Sequence, residues 1–377
     1  MSALERFCFI VDWFDVHAQL TRKYQLFFYP CDNTMEMYDI KQRRTFLKRT
    51  NAPMNLEDLY IGASVNVFAR QLTVRDYGDD FTINRLSRQM ERVLVAVKPH
   101  AFERLGEILD DILAHQFTIC QLKMVDMTTK HIGEVFGPEY EKLDNYSEFE
   151  SSFEGKKLVV MELMRLGACA ELKVVCGPDR VEQAKAEAPL SLHARYGKSG
   201  LFNAVFSSSS ANNAKAEIAY FFGPTSPLKF RRLTRFHNCT LAIIKPHAVN
   251  SGLSGQIVSS IQKEGFEIND MELYHLEKAN AEEFLEVYKG VVSEYHLMLD
   301  QLISGSCIAI EIVGPDSGIV SHFRELVGPA DPALGRQIRP HTLRAKFGID
   351  KVKNAIHCTD LPEDGSLEIQ YFFRILA

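Results

Sequence analysis

The sequence has no paired cysteines. Its eight cysteines, at positions 8, 31, 120, 169, 176, 239, 307 and 358, include no Cys-x-x-Cys. That argues against a zinc ribbon or a dithiol redox motif, and the thiols are expected to be reduced, as in the cytosol. No apolar run approaches the roughly 18 residues of a membrane span. The opening Met1-Ser2-Ala3-Leu4-Glu5-Arg6 lacks the charged-then-apolar layout of a secretory leader, so none is expected. No G-x-x-x-x-G-K-[ST] occurs, which excludes a P-loop. Positive charge is not in excess either: the net charge of −6 argues against wholesale nucleic-acid binding. What is present is ordinary for a globular chain of two or three domains: 377 residues, 46% apolar and 24% charged.

Residues 1–88 read as a small, mostly β module. Phe7–Val11, Tyr24–Tyr29 and Ser64–Phe68 are aromatic and β-branched runs, and Met35–Ile40 alternates as a half-buried strand does. Turns fall at Pro30-Cys31-Asp32-Asn33 and Asp76-Tyr77-Gly78-Asp79, and a short helix is expected near Leu56 to Leu59. The module holds no catalytic or metal-binding cluster. Its one unusual feature is the run Lys41, Arg43, Arg44, Lys48 and Arg49, which reads either as a hairpin's solvated face or as a docking patch for an acidic surface.

The remainder is an internal repeat. Val93-Leu94-Val95-Ala96-Val97-Lys98-Pro99-His100-Ala101 recurs as Thr240-Leu241-Ala242-Ile243-Ile244-Lys245-Pro246-His247-Ala248, with the lysines 245 − 98 = 147 apart. Glu162 and Glu311 are 149 apart, and Tyr220-Phe221-Phe222 and Tyr371-Phe372-Phe373 are 151 apart. Two copies of one domain, at 89–222 and 237–377, are the reading. Gly223-Pro224-Thr225-Ser226-Pro227, followed by Lys229, Arg231, Arg232 and Arg235, marks the linker between them.

In the second copy the pattern predicts strands at Cys239–Ile244, Phe266–Leu276, Ser306–Val313 and Leu367–Ile375. It predicts helices at Leu253–Lys263 and Gly318–Leu326, with another opened by Asn280 as N-cap and an acid three residues later. The class is α+β, with helices on one side of an antiparallel sheet.

The chemistry concentrates in Asn354-Ala355-Ile356-His357-Cys358-Thr359-Asp360 and in Glu368 beyond it. A histidine in a polar loop, followed by an apolar strand carrying one acid, suggests a nucleophile with its orienting group. A carboxylate that takes one ring N–H leaves the other nitrogen's lone pair outward. Lys245, Arg324 and Arg344 precede it in the same copy and supply cations of the kind phosphoryl transfer requires.

This stretch resembles the active-site loop of nucleoside diphosphate kinases, Asn-x-x-His-x-Ser/Thr-Asp, and the resemblance runs nearly end to end through both copies. It implies two ferredoxin-like domains, with His357 as the phosphorylated residue and Glu368 as its orienter. Lys245 and Asn354 match residues that hold the sugar hydroxyl and a nearby phosphate. Arg324 and Arg344 match the arginines on the terminal phosphates. Tyr295, or alternatively Tyr288, matches the aromatic wall against the base. Nucleoside di- and triphosphates are the implied substrates, with Mg²⁺ arriving on their phosphates and no metal site in the protein.

Departures from the family pattern are Ala330 in place of a phosphate-contacting threonine, Lys351 in place of an apolar residue, and a longer loop at Ala333–Arg339. In the first copy His357 maps to Phe206, Arg344 to His193 and Arg324 to Lys173, while Asn203 and Glu217 remain. That copy is expected to be inactive, with His193 packed or solvated.

The N-terminal module is similar to the DM-ten domain on its Phe28-Tyr29-Pro30, Thr45–Arg49 and Asp76–Asp79 stretches. A DM-ten-like module before two kinase-like repeats resembles the ciliary nucleoside diphosphate kinase 7 family. That resemblance implies a cytoplasmic, cytoskeletal protein of the axoneme, centrosome or basal body. The implied partners are tubulin, other axonemal proteins and the γ-tubulin ring complex, with neither nucleic acid nor membrane. Two functions stand: a phosphotransferase acting through His357, and a non-catalytic structural protein built on kinase folds.

Overall fold

In the computed structural model, residues 5–377 are described except 16, 17, 19, 69, 88–89, 141–145, 154, 201, 228–232 and 317. Lys229, Arg231 and Arg232 of the expected linker run therefore lie outside the described residues, as do the first four positions of the chain. The chain forms two compact units, Met1–Gln89 with His275–Cys307, and Met90–Tyr274 with Ile308–Ala377.

The first unit carries a six-stranded antiparallel sheet of β1 (Phe7–Asp15), β2 (Leu20–Tyr29), β3 (Thr34–Asp39), β4 (Arg44–Asn51), β5 (Ser64–Val67) and β6 (Arg70–Tyr77), in the order β4-β3-β2-β1-β6-β5. The alternation in β3 buries Met35 and Met37, which join Phe9, Leu26, Phe28, Leu72 and Val74 in one core. The strand β6 has no counterpart among the sequence expectations, because its charged Arg70, Arg75 and Asp76 mask the buried Leu72 and Val74. The cationic run spans the β3–β4 turn and β4, an edge strand, and all five of its cations are exposed. The segment His275–Cys307 is tied to the sheet where the Gln71 side chain donates to the Leu276 carbonyl at 2.7 Å.

The second unit holds β7 (Met90–Val97), β8 (Thr118–Asp126), β9 (Lys157–Leu166) and β10 (Val205–Ser207) from the first repeat. The second repeat supplies β11 (Cys239–Ile244), β12 (Glu267–Tyr274), β13 (Cys307–Val313) and β14 (Ile356–Cys358). Their order, β10-β7-β9-β8-β12-β13-β11-β14, is the same four-strand arrangement read outward twice from a central seam. At the seam the edge strands β8 and β12 pair, with Lys123 opposite Glu272.

Five helices set the geometry of the two repeats: α1 (Leu105–Ala114), α2 (Ala211–Phe222), α3 (Ser254–Lys263), α4 (Ile319–Val327) and α5 (Gly365–Gln370). Helices α1 and α3 cross at their glycines. A Cβ on Gly106 would fall 2.1 Å from the Ser259 nitrogen, and one on Gly255 would fall 2.3 Å from the Asp110 nitrogen. Since 255 − 106 and 259 − 110 are both 149, the contact is reciprocal, as across a twofold axis. Gln262 locks the crossing, accepting from the Gly106 amide at 3.0 Å and donating to the Phe102 carbonyl at 2.8 Å. One apolar core runs through both repeats, from Val93 to Cys358.

Helices cover both faces of the first repeat's sheet, where the sequence suggested one side. Val93, Val95 and Val97 face α1, and Leu94 and Ala96 face a second core with Ile132, Phe136, Phe153 and Phe221. Burial on both faces explains why Val93–Val97 reads as an unbroken apolar run. The segment expected as a last strand, Leu367–Ile375, is helical instead: α5 continues into a wider turn over Tyr371–Ile375. Its Leu367 is 60% exposed while Ile369, Phe372 and Phe373 are buried, a spacing that belongs to a helix. Asn280 is also not a cap, since its helix runs Lys278–Phe284 with Glu277 at the N-cap position.

A candidate phosphotransfer site in the second repeat

The central strand β11 delivers Lys245 at its end, where Pro246 opens a short helix. Beside it lies β14, with Ile243 opposite His357. The histidine is thus a strand residue, 9% exposed, held by the sheet ladder. From α5, the Glu368 carboxylate places Oε2 at 3.2 Å from His357 Nε2. The same oxygen accepts from the Thr359 hydroxyl at 2.8 Å, and that hydroxyl accepts from the Leu241 amide at 3.0 Å. A carboxylate can only accept here, so a neutral His357 carries its proton on Nε2. The lone pair is then on Nδ1.

The cations are arranged around this pair. Arg344 donates to the Ile356 carbonyl at 3.0 Å and to the Gly328 carbonyl at 3.1 Å, bracing the strand that holds His357. Arg324, exposed in the last turn of α4, donates to the Asp360 carbonyl and faces its carboxylate at 3.2 Å. Lys245 is buried, donates to the Val352 carbonyl at 3.0 Å, and has its pKa pushed down to about 7 by burial and then by Arg344. Asn354 donates to the Ala330 carbonyl at 3.2 Å, while its buried Oδ1 has no hydrogen-bond partner among the described residues. A buried acceptor without a donor costs stability, and such an atom beside a cation set is poised for a ligand's hydroxyl.

Between Asn354 and His357 the backbone is bent sharply. Ala355 has φ +70°, and the Ile356 amide donates back to the Asn354 carbonyl at 2.9 Å, the two-residue closure of a γ-turn. For a non-glycine residue this conformation costs on the order of 1–2 kcal/mol.

Tyr295 and Tyr288 fall in His275–Cys307, a segment of the first unit. Tyr295 is 6% exposed, with its ring centroid 5.3 Å from that of His296. Of the departures, Ala330 contributes its carbonyl to Asn354, and Lys351 is an exposed residue 3.9 Å from the Asp331 carboxylate. Thr359 and His247 were not singled out by the sequence reading. The recurrence of Lys-Pro-His-Ala in both repeats is the signal that marks His247.

The first repeat is a built-in comparison. Phe206 is fully buried, its ring 4.8 Å from that of Phe136. His193 is 1% exposed, with ring nitrogens 2.9 Å from the Pro178 carbonyl and 3.2 Å from the Val205 carbonyl, bracing the strand as Arg344 does in the second repeat. Lys173 is exposed. Lys98 donates to Asn203 Oδ1 and is fully buried, so the pair that stands open in the second repeat is closed on itself here. Glu217 keeps its hydroxyl partner, Ser208, at 2.6 Å.

Comparison with known proteins agrees with this division. A model described as the nucleoside diphosphate kinase 7 N-terminal PH domain matches residues 1–88, and the nucleoside diphosphate kinase model matches 91–226 and 238–376. The chain is 44% identical to nucleoside diphosphate kinase homolog 7 of Rattus norvegicus over 99% of its own length and 94% of the relative's. The Mus musculus homolog 7 gives the same figures. A nucleoside diphosphate kinase of Aquifex aeolicus is 34% identical over 36% of this chain and 92% of its own length, as expected of a protein one repeat long. Two kinase repeats behind a β module, over essentially the full length of these relatives, place this chain in the nucleoside diphosphate kinase 7 family.

Proposed function

We propose that the second repeat transfers the γ-phosphate of a nucleoside triphosphate to a nucleoside diphosphate through a phosphohistidine on His357, and that the first repeat does no chemistry. The observation that carries this reading is the 3.2 Å contact between His357 Nε2 and Glu368, with Lys245, Arg324, Arg344 and Asn354 on the same four-strand unit. Nδ1 attacks the terminal phosphorus and the nucleoside diphosphate leaves. A second diphosphate then takes the phosphoryl group from the same nitrogen. Arg344 and Arg324 bind phosphate oxygens, and Lys245 and Asn354 hold the sugar hydroxyl and nearby phosphate. These are donors to anions rather than metal ligands, so Mg²⁺ in this scheme is carried by the nucleotide's own phosphates and no step depends on protein ligation. Incubation with γ-labelled ATP tests the scheme: an acid-labile, alkali-stable phosphoprotein is expected, and a label that survives His357→Ala refutes it.

A second reading is favoured by the filled first repeat and the N-terminal module. In it the protein is a structural component of cytoplasmic microtubules, those of the ciliary axoneme above all, held through the first unit independently of His357. What supports it is that Phe206 and its aromatic neighbours keep a repeat folded without a nucleophile, and that β4 presents exposed cations.

A further inference from the structure

Ala355 is held at both ends of its peptide. Its carbonyl accepts from the Lys245 amide at 2.9 Å, and the first repeat repeats this bond between the Lys98 amide and the Ala204 carbonyl at 3.0 Å. The other end differs. In the second repeat the Ala355 amide donates to His247 Nε2 at 3.2 Å. In the first, the counterpart His100 has a buried Nε2 with no partner among the described residues, and Ala204 is not at positive φ. The strained turn, the histidine acceptor and the nucleophile therefore occur together in one repeat and are all missing from the other.

We infer that His247 is a positioning residue for His357: its imidazole accepts the Ala355 amide, holds the positive-φ turn, and so fixes where His357 presents its side chain. The inference rests on the phosphohistidine reading above. To accept at Nε2, the ring must carry its proton on Nδ1 and be neutral. Burial, Lys245 and Lys353 push the His247 pKa down to about 4, so the acceptor is present throughout the physiological range. An acceptor lost here releases the turn toward the relaxed form of Ala204, and a displacement of the nucleophile near 1 Å can slow a positioned reaction by about 10²-fold.

The experiment uses the full chain. In ¹⁵N-labelled parent protein, a scalar coupling across the hydrogen bond should link the Ala355 amide nitrogen with His247 Nε2. With γ-labelled ATP, His247→Phe should slow His357 labelling by about tenfold or more, while nucleotide affinity by calorimetry stays within about threefold. His247→Gln, which keeps an acceptor, should recover most of the rate. Ala355→Gly in the His247→Phe background should also recover it, because glycine takes positive φ without strain. Absence of the coupling overturns the inference. So does a folded His247→Phe protein that labels at the parent rate, or one whose loss of rate is matched by loss of affinity. A parent that takes no label overturns the phosphohistidine reading and this inference with it, whereas equal labelling of parent and His247→Phe overturns this inference alone.

Discussion

His357 and Glu368 are eleven residues apart in the chain and 3.2 Å apart between Nε2 and Oε2, one on a strand and the other on a helix that crosses behind it. The carboxylate has two partners, since the Thr359 hydroxyl also donates to it. In the first repeat the hydroxyl contact survives as Ser208 to Glu217, and Ser208 likewise accepts from the Leu94 amide at 2.9 Å, although Phe206 has replaced the histidine. One half of the arrangement therefore clamps the strand to the helix in both repeats. The imidazole half belongs to the second repeat alone.

Substitutions can separate these two halves. Glu368→Gln should slow His357 labelling by roughly 10²-fold, in the range of an orienting or acid–base role, with nucleotide affinity little changed. Thr359→Val should leave the Leu241 amide without its acceptor and cost about 1–3 kcal/mol in urea unfolding, with labelling reduced far less than by Glu368→Gln. Equal labelling rates for parent and Glu368→Gln would reduce the carboxylate to its clamping role.

Phe206 and His357 occupy equivalent places with opposite expectations. Phe206→Ala removes a fully buried ring that packs on Phe136, so a loss of about 3–5 kcal/mol is expected in chemical denaturation, with the label on His357 retained. His357→Ala should abolish the label at far smaller cost in stability. Loss of label in a Phe206→Ala protein that remains folded would mean that the first repeat takes part in the chemistry.

Much of this was legible in the sequence because repetition and burial leave periodic marks. Cys239–Ile244 reads as a strand and is one, its repeat partner Val93–Val97 is a strand as well, and the two repeats align through their lysines and glutamates. The segment Leu367–Ile375 was misread because Leu367, Ile369, Tyr371 and Phe373 alternate in the sequence. Gly365, Ile369, Tyr371, Phe372 and Phe373 are buried, so Phe372 breaks the alternation, and the exposed Leu367 supplied a false member of it. The site was legible as residue types in order, Lys245 through Glu368. The turn at Ala355 was not, because a positive φ at alanine is imposed by its two hydrogen-bond partners rather than by the residue itself.

Burial of Lys245 makes nucleotide binding a proton-linked event. Its pKa lies near 7 in the unliganded site against 10.5 for an ordinary lysine, so at about pH 8 it is mostly neutral. A phosphate anion alongside favours the charged form and raises the pKa, so binding should take up protons at about pH 8 and cease to do so below about pH 6, where the lysine is already charged. Calorimetry in buffers of different ionisation heat measures the uptake, which should vanish in Lys245→Met. Lys98 is likewise near 7 but closed on Asn203, so Lys98→Met should leave the uptake intact. For folding, an unfolded lysine holds its proton up to about 10.5, so between about pH 7 and 10.5 the unfolded state binds more protons and stability rises with pH through Lys98. Lys98→Met should flatten that rise, read from urea midpoints between about pH 7 and 8.5.

The structural reading depends on the cations of the first unit, and the structure divides them. Arg49 on β4 is committed to the neighbouring β2–β3 hairpin, its guanidinium 3.7 Å from the centroid of the Tyr29 ring and its charge 2.9 Å from Asp32. Lys41, Arg43, Arg44 and Lys48 are exposed on the turn and edge strand, where charge also serves to block edge-to-edge pairing. If the patch docks on an acidic polymer such as a microtubule, changing these four residues to Ser should weaken co-sedimentation, with circular dichroism unchanged. The parent's binding should fall as salt rises and the screening length shortens from about 10 Å at 0.1 M, while the four-Ser protein should show a shallower salt dependence. Arg49→Ser alone should act mainly on the sheet, through a small loss of stability, because its contacts are to Tyr29 and Asp32 of the same sheet. His357→Ala should co-sediment as the parent does, since the cations belong to the first unit and His357 to the second. Equal binding of parent and four-Ser protein at both low and moderate salt would assign these cations to edge protection and remove them from any docking surface.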